Sequence, residues 1–291
     1  MAKAKIDVYQ MVTDRIVTAL EAGTPPWSKP WKNGATMGLP FNMTSMDPQE
    51  GQSYTGINVP LLWSAGYDDS RWITWNQAKK AGITIKSEEA KNWTPIVFWN
   101  MFEKDNDDGT VQKIPYLRYY RVYNAEQCDN APIVESCPED PSVGYERCSA
   151  ILDSYGVKIM HGQEGAWYKA HTDLIGVPDP EHFHTADHYW ATVLQEMVHS
   201  TGHKSRLNRD NFGKDEQTFA LEEMIASMGS AFLCAKLGIE RPEVMQNQES
   251  YISSWLDLLR GDKRAVYRAA KAAQLASNLI MEHNIKKEKA A

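Results

Sequence analysis

The sequence has no C-x-x-C pair, no long apolar run, no excess of positive charge and no low-complexity tract. Each absence excludes something. Cys128, Cys137, Cys148 and Cys234 lack the spacing of a zinc ribbon or a redox pair, so they read as reduced thiols. The longest apolar run, around Pro95 to Phe102, is too short to span a bilayer, and the opening MAKAKIDVYQ has no apolar signal core. A cytoplasmic protein with no membrane partner is therefore expected. The net charge of −7 argues against any general attraction to nucleic acid, so a nucleic-acid site here must be a local basic and aromatic patch. At 291 residues, 42% hydrophobic and 24% charged, the chain is long enough for two domains with real cores. Aromatics are not scarce: six of the ten tryptophans fall between Trp27 and Trp93.

Periodicity predicts an α+β protein. Asp7 to Ala22 repeats apolar residues at three and four, and Gly23 with Pro25-Pro26 ends the helix. Short helices are expected over Val59–Ala65 and Trp72–Ala81, the second capped by Thr74. Ile83–Lys86, Thr94–Phe102 and Ile114–Tyr123 read as strands, the last two joined by the Asp108-Gly109 turn. Thr94–Phe102 is apolar on both faces, which predicts a central strand. Residues 129–144, rich in Pro, Asp, Glu and Ser, read as a linker. The expected organisation is a small α/β domain over 1–128, that linker, and a mainly helical domain over 145–291. In the latter, helices are expected after Thr185 or Asp187, over Glu216–Leu237, over Ser250–Leu259 and over Lys263–Ile285.

The stretch LQEMVHSTGHKSRLNR at 194–209 nearly spells the His-Glu-x-x-His helix of zinc hydrolases. That motif stacks two imidazoles one turn apart, with a carboxylate beside them to deprotonate the metal-bound water, and a third ligand completes the site. Here Glu196 occupies the general-base position and His199 the second ligand, and the next helix offers Glu222 and Glu223. The first ligand position is Gln195, and a neutral amide is a poor zinc ligand. The bland alternative is a polar stripe of His188, Thr192, Gln195, Glu196 and His199 covered by the rest of the domain.

The first half carries a different chemistry. Trp27, Lys29, Trp31, Lys32, Trp72, Trp75, Lys79, Lys80, Arg118, Tyr119, Tyr120, Arg121 and Tyr123 mix aromatic and basic side chains as single-strand binders do. No acidic residue occurs from Thr110 to Ala125. Core packing competes for each of these residues, and half of them are expected to be structural. Trp27 and Trp31, flanked by proline and lysine, are expected to be more exposed than Trp99.

HSTGHKSRLNR at 199–209, LEEMIAS…AFLCAKLGI at 221–239, DVYQMVTDRIVTALEAGTPPWSKPW at 7–31, YTGIN at 54–58, WITWNQAKKAG at 72–82 and IPYLRYYRVYNAEQCD at 114–129 together resemble the ArdC-type antirestriction proteins. The resemblance implies an N-terminal single-stranded-DNA-binding domain and a C-terminal zincin-like domain, with the family motif on Gln195, Glu196 and His199 and the third ligand on Glu223. It also implies an acid where this chain has Ser227, one turn past that ligand. Two departures at one site imply a decayed peptidase: no cofactor is expected, or zinc if the site is intact. Single-stranded DNA is the expected partner, in an antirestriction role. Two alternatives stay open. One is a phage accessory factor that recruits a polymerase or replication enzyme to exposed template. The other is a live metallopeptidase with an unusual ligand set.

Overall fold

The computed structural model describes residues 6–28, 38–44, 53–105, 111–134, 140–209, 215–240 and 248–288. Asp7 caps α1 (Val8–Glu21) by accepting from the Gln10 N–H, and Val12, Ile16 and Leu20 form its buried stripe. That stripe packs against the second half of the chain. Thr13 donates to the Lys263 carbonyl at 2.8 Å, Tyr267 donates to the Val8 carbonyl at 3.1 Å, and Lys263 pairs with Asp7. One apolar core accordingly runs from Val12, Ile16, Leu20 and Trp27 through Trp63 and Val97 into Met197, Phe232, Trp255 and Val266. The first helix therefore shares its core with the second half, although it lies within the segment expected to form a separate small domain.

The N-terminal sheet has the order β1-β2-β4-β3, built from β1 (Phe41–Asn42), β2 (Arg71–Thr74), β3 (Thr94–Asp105) and β4 (Val111–Asn124). Three expectations need correcting. Trp72 and Ile73 are strand, not helix: both are buried and paired with β4, and α3 (Trp75–Ala81) starts only after the Thr74–Gln77 capping box. Ile83–Lys86 forms no named strand; it contributes an isolated bridge from Ile85 to Cys128. β3 is an edge strand and not a central one, because only β4 pairs with it. Between these elements α2 (Asn58–Trp63) lies wholly buried.

The expected linker is partly helix. Asp140 caps α4 (Pro141–Tyr155), and Pro141 sits in its first turn, where a missing N–H removes nothing the helix needs. Its weak amphipathicity hid it; Gly144 lies so close to α6 (Glu216–Leu237) that a Cβ would sit 3.0 Å from the Leu237 carbonyl. A second sheet, of order β5-β7-β6, combines β5 (Lys158–Met160), β7 (Leu174–Gly176) and β6 (Trp167–Lys169). Below it run α5 (Ala186–Ser200), α6, α7 (Gln248–Gly261) and α8 (Ala265–Glu288). Among the described residues no helix is long and apolar enough to cross a membrane.

Candidate functional site

Thr185 caps α5 through the His188 N–H, which fixes the frame that brings Glu196 and His199 against α6. The two helices cross closely because residue 229 is glycine: a Cβ there would meet a Val198 methyl at 2.8 Å. Glu196, His199, Glu222 and Glu223 are all buried at this crossing. His199 Nδ1 lies 3.3 Å from Glu222 and its Nε2 3.5 Å from Glu223, so both ring nitrogens face carboxylates.

Burial alone would keep this imidazole neutral, but the two carboxylates overcome it and hold the His199 pKa well above its ordinary value. Burial opposes the Glu222 charge as well; hydrogen bonds from His199 and Arg209 win and hold that carboxyl below the usual range. Arg209 grips Glu222 through Nη2 at 2.6 Å and Nε at 3.0 Å, and also donates to Thr201 Oγ1 and the Val198 carbonyl. The RLNR turn thus locks the end of α5 to α6. Glu196 is governed by burial, tempered by His199, and its pKa is pushed up to about 7. A carboxyl titrating near neutrality suits proton transfer, the role expected of the general-base position.

The ligand set is incomplete. Hydrolytic zinc takes three histidine, cysteine or carboxylate ligands; here His199 and the two glutamates face one another directly, and among the described residues no group of three is arranged to hold a metal ion. Gln195 Oε1 is buried with no hydrogen-bond partner where the family motif places an imidazole. The residues present do not fit a hydrolytic zinc centre.

The N-terminal segment closes one side of this region. Trp27 is 1% exposed; its indole donates to Ser227 Oγ at 3.0 Å and its ring lies 5.5 Å from that of Trp255. Tyr251 stacks on Trp255, and burial, followed by the charges of Glu223 and Glu196, pushes its pKa up to about 12.

The predicted nucleic-acid residues separate into groups. Trp27 and Trp72, at 1% and 2% exposure, are core residues with no face left for a base. Lys29, Trp31 and Lys32 lie outside the described residues. Trp75, Lys79, Lys80, Arg118 and Arg121 are exposed, and Tyr119 is half-buried against Trp93. The β3–β4 hairpin adds Phe98 and Tyr116, which sequence reasoning passed over, to the expected Tyr120; Tyr123, also expected on this surface, is 4% exposed and packs in the core. Its register places Phe98 opposite Arg118, Asn100 opposite Tyr116 and Ile96 opposite Tyr120, and residues two apart share a face. Phe98, Tyr116 and Tyr120 are 46%, 40% and 41% exposed. Phe98 meets Tyr120 edge to face, and the Arg118 guanidinium lies 5.8 Å from the Tyr120 ring. Trp99, expected to be less exposed than Trp27, is 61% exposed.

Two family models divide the chain: the N-terminal domain of anti-restriction factor ArdC matches residues 6–123, and a zincin-like metallopeptidase matches 146–272. The metal-free crystal structure of antirestriction ArdC from plasmid R388 superposes with a TM-score of 0.80 at 36% identity, covering 97% of this chain and 99% of that one. The protein belongs to the ArdC antirestriction family. The Mn(II)-bound R388 structure superposes with a TM-score of 0.76 at 36% identity, covering 96% of this chain and 98% of that one. An uncharacterized protein of Sinorhizobium fredii, y4eC, is 32% identical over 92% of this chain and 89% of its own. Two Escherichia coli proteins named DNA primase TraC are 35% and 31% identical over 97% and 94% of this chain, which spans only 28% and 20% of their lengths.

Proposed function

We propose that this ArdC-family chain is a cytoplasmic single-stranded-DNA-binding protein of the antirestriction, DNA-protecting type, with a metallopeptidase-like domain that has lost catalysis. The observation that carries the DNA reading is the exposed hairpin face of Phe98, Tyr116, Tyr120 and Arg118 on an acidic chain. Flat aromatic rings beside an arginine suit unpaired bases and their phosphates, without sequence preference. In a gel shift, single-stranded oligonucleotides are expected to be retarded at concentrations where duplexes of equal length run free. Equal or absent binding would defeat the reading.

Loss of catalysis is supported by the unpartnered Gln195 Oε1 and by the direct pairing of His199 with Glu223. Glu196, His199 and Glu223 then remain as the skeleton of a hydrolytic site. Elemental analysis of purified protein is expected to find no stoichiometric zinc, whereas Gln195→His regains zinc uptake. One tightly held zinc per wild-type chain would restore the peptidase alternative.

A second reading has its own support. The two relatives named DNA primase TraC match 97% and 94% of this chain within much longer chains. That favours a protein that escorts single-stranded DNA and brings a replication enzyme to it. A pull-down with tagged protein separates the two roles, since only an escort is expected to retain a primase or polymerase.

A further inference from the structure

The opposite face of the same hairpin is also furnished with aromatic rings and arginines, and it continues onto the helical domain. Residues 97, 99 and 101 and their partners 119, 117 and 115 share this face. Trp93 stacks on Tyr119, with the Arg121 guanidinium 4.5 Å and that of Arg15 5.9 Å from the Trp93 ring. Trp99 lies edge-on to Tyr9 of α1 at 6.1 Å; Tyr9 in turn meets Tyr267 of α8 at 4.9 Å and carries Arg264 at 4.9 Å. Trp99 and Met101 are both more than half exposed, and Arg121 and Arg264 are exposed.

Of the described residues, three arginines on this face form no ion pair, although Arg15 donates to the Trp93 carbonyl at 3.5 Å. Arg71, Arg206, Arg209, Arg260 and Arg268 each pair with a carboxylate. Among the described residues Arg15, Arg121 and Arg264 form no ion pair and lie over aromatic rings instead. The strand edge, by contrast, is largely closed to another polypeptide strand. Pro95 has no N–H, Asn58 engages both the N–H and the carbonyl of Val97 at 2.7 and 2.9 Å, and the Asn100 side chain accepts from the Met101 N–H. Rings with unpaired guanidinium groups and a blocked backbone edge suit a polyanion carrying flat bases better than a peptide.

We infer that single-stranded DNA is held on both faces of the hairpin, and that its second track runs over Trp99 and Tyr9 to Arg264, so that the helical domain forms part of the binding site. This rests on the reading of the first face as a DNA surface. Fluorescence anisotropy with labelled oligothymidylates of stepped length, on full-length wild type, Phe98→Ala, Trp99→Ala, Trp99→Phe and Arg264→Ala, tests it. Oligomers that fill only the first track are expected to bind Trp99→Ala and Arg264→Ala like wild type. Longer oligomers are expected to bind Trp99→Ala about ten-fold more weakly, with Trp99→Phe restoring most of the loss. Arg264→Ala is expected to lower the dependence of log K on log salt by about 0.7 for the long oligomers only. If Phe98→Ala weakens binding while the Trp99 and Arg264 variants match wild type at every length, the second track is overturned and the first stands. If Phe98→Ala is also silent, or no single strand binds, both fall.

Discussion

At the α5–α6 crossing His199, Glu222, Glu223 and Arg209 answer one another within 3.5 Å, whereas on the hairpin Arg118 and Arg121 lie over aromatic rings and, among the described residues, form no ion pair. Burial makes the difference. A charge removed from water needs a counter-charge and hydrogen bonds, so the crossing keeps its network even though its ligand set is incomplete. An exposed guanidinium stays hydrated without a partner and remains available to a phosphate. The first region holds the fold together; the second is the proposed surface for other molecules. Breaking the first should show in stability, and breaking the second in affinity.

Glu222→Ala is the severest test. It leaves Arg209 and His199 in a buried site without their shared carboxylate, and removing one partner of such a network destabilises by roughly 3–5 kcal/mol. Urea denaturation is expected to show a loss of that order, while the folded fraction binds single-stranded DNA as wild type does. A denaturation curve matching wild type would mean that the network is not what joins the helices. Trp27→Phe comes next. The ring keeps most of its packing but the hydrogen bond to Ser227 goes, leaving a buried hydroxyl short of that donor; a penalty of about 1–3 kcal/mol is expected. DNA affinity should not move. A folded Trp27→Phe that binds DNA poorly would return Trp27 to the nucleic-acid surface and blur the comparison.

Trp27 also shows where the sequence stops being legible. Proline and lysine around it suggest an exposed loop, but its partners are Ser227 and Trp255, some two hundred residues away, and no local pattern announces them. The elements with strong local chemistry are readable: the first helix, the cap at Thr74, a cap at Thr185 or Asp187 of which the structure uses Thr185, the two long hairpin strands, and the frame that puts Gln195, Glu196 and His199 on one helix. Trp72 was misassigned to the helix it precedes, because two strand residues before a capping box carry no period of their own. Phe98 and Tyr116 escape the sequence reading for a more instructive reason. VFWNMF is apolar on both sides, and that pattern also fits an edge strand whose outer face is a binding surface. Only the pairing order, with β4 on one side of β3 and no strand on the other, separates the two.

On the hairpin the expected effects are smaller in stability and larger in binding. Tyr120→Ala removes a ring that is 41% exposed, packs edge-on against Phe98 and lies under the Arg118 guanidinium. Thermal melting is expected to stay close to wild type, and affinity for a single strand to fall by about 1–3 kcal/mol. The reverse pattern, a large drop in melting temperature with affinity retained, would class Tyr120 with Trp72 as a core residue.

The smallest expected effect lies between the extremes, at the half-exposed pair of Arg206 and Asp173. Arg206 donates to Asp173 through both terminal nitrogens and to the Ser200 carbonyl through Nε, tying the end of α5 to the loop between β6 and β7. Those hydrogen bonds hold the Asp173 carboxyl below its ordinary value. A carboxyl whose pKa is lower in the folded state than in the unfolded one stabilises the fold above its unfolded value, near 4, and this is lost as pH falls through the folded value. Asp173 has φ +51, in the left-handed region that asparagine tolerates, so Asp173→Asn removes the charge without forcing the backbone. At 36% side-chain exposure, solvent screening holds the expected loss to about 1 kcal/mol or less at pH 7. The difference between wild type and Asp173→Asn in urea denaturation should shrink between about pH 5 and pH 2. A difference that stays constant over that range would mean that shape, and not charge, is what Asp173 contributes.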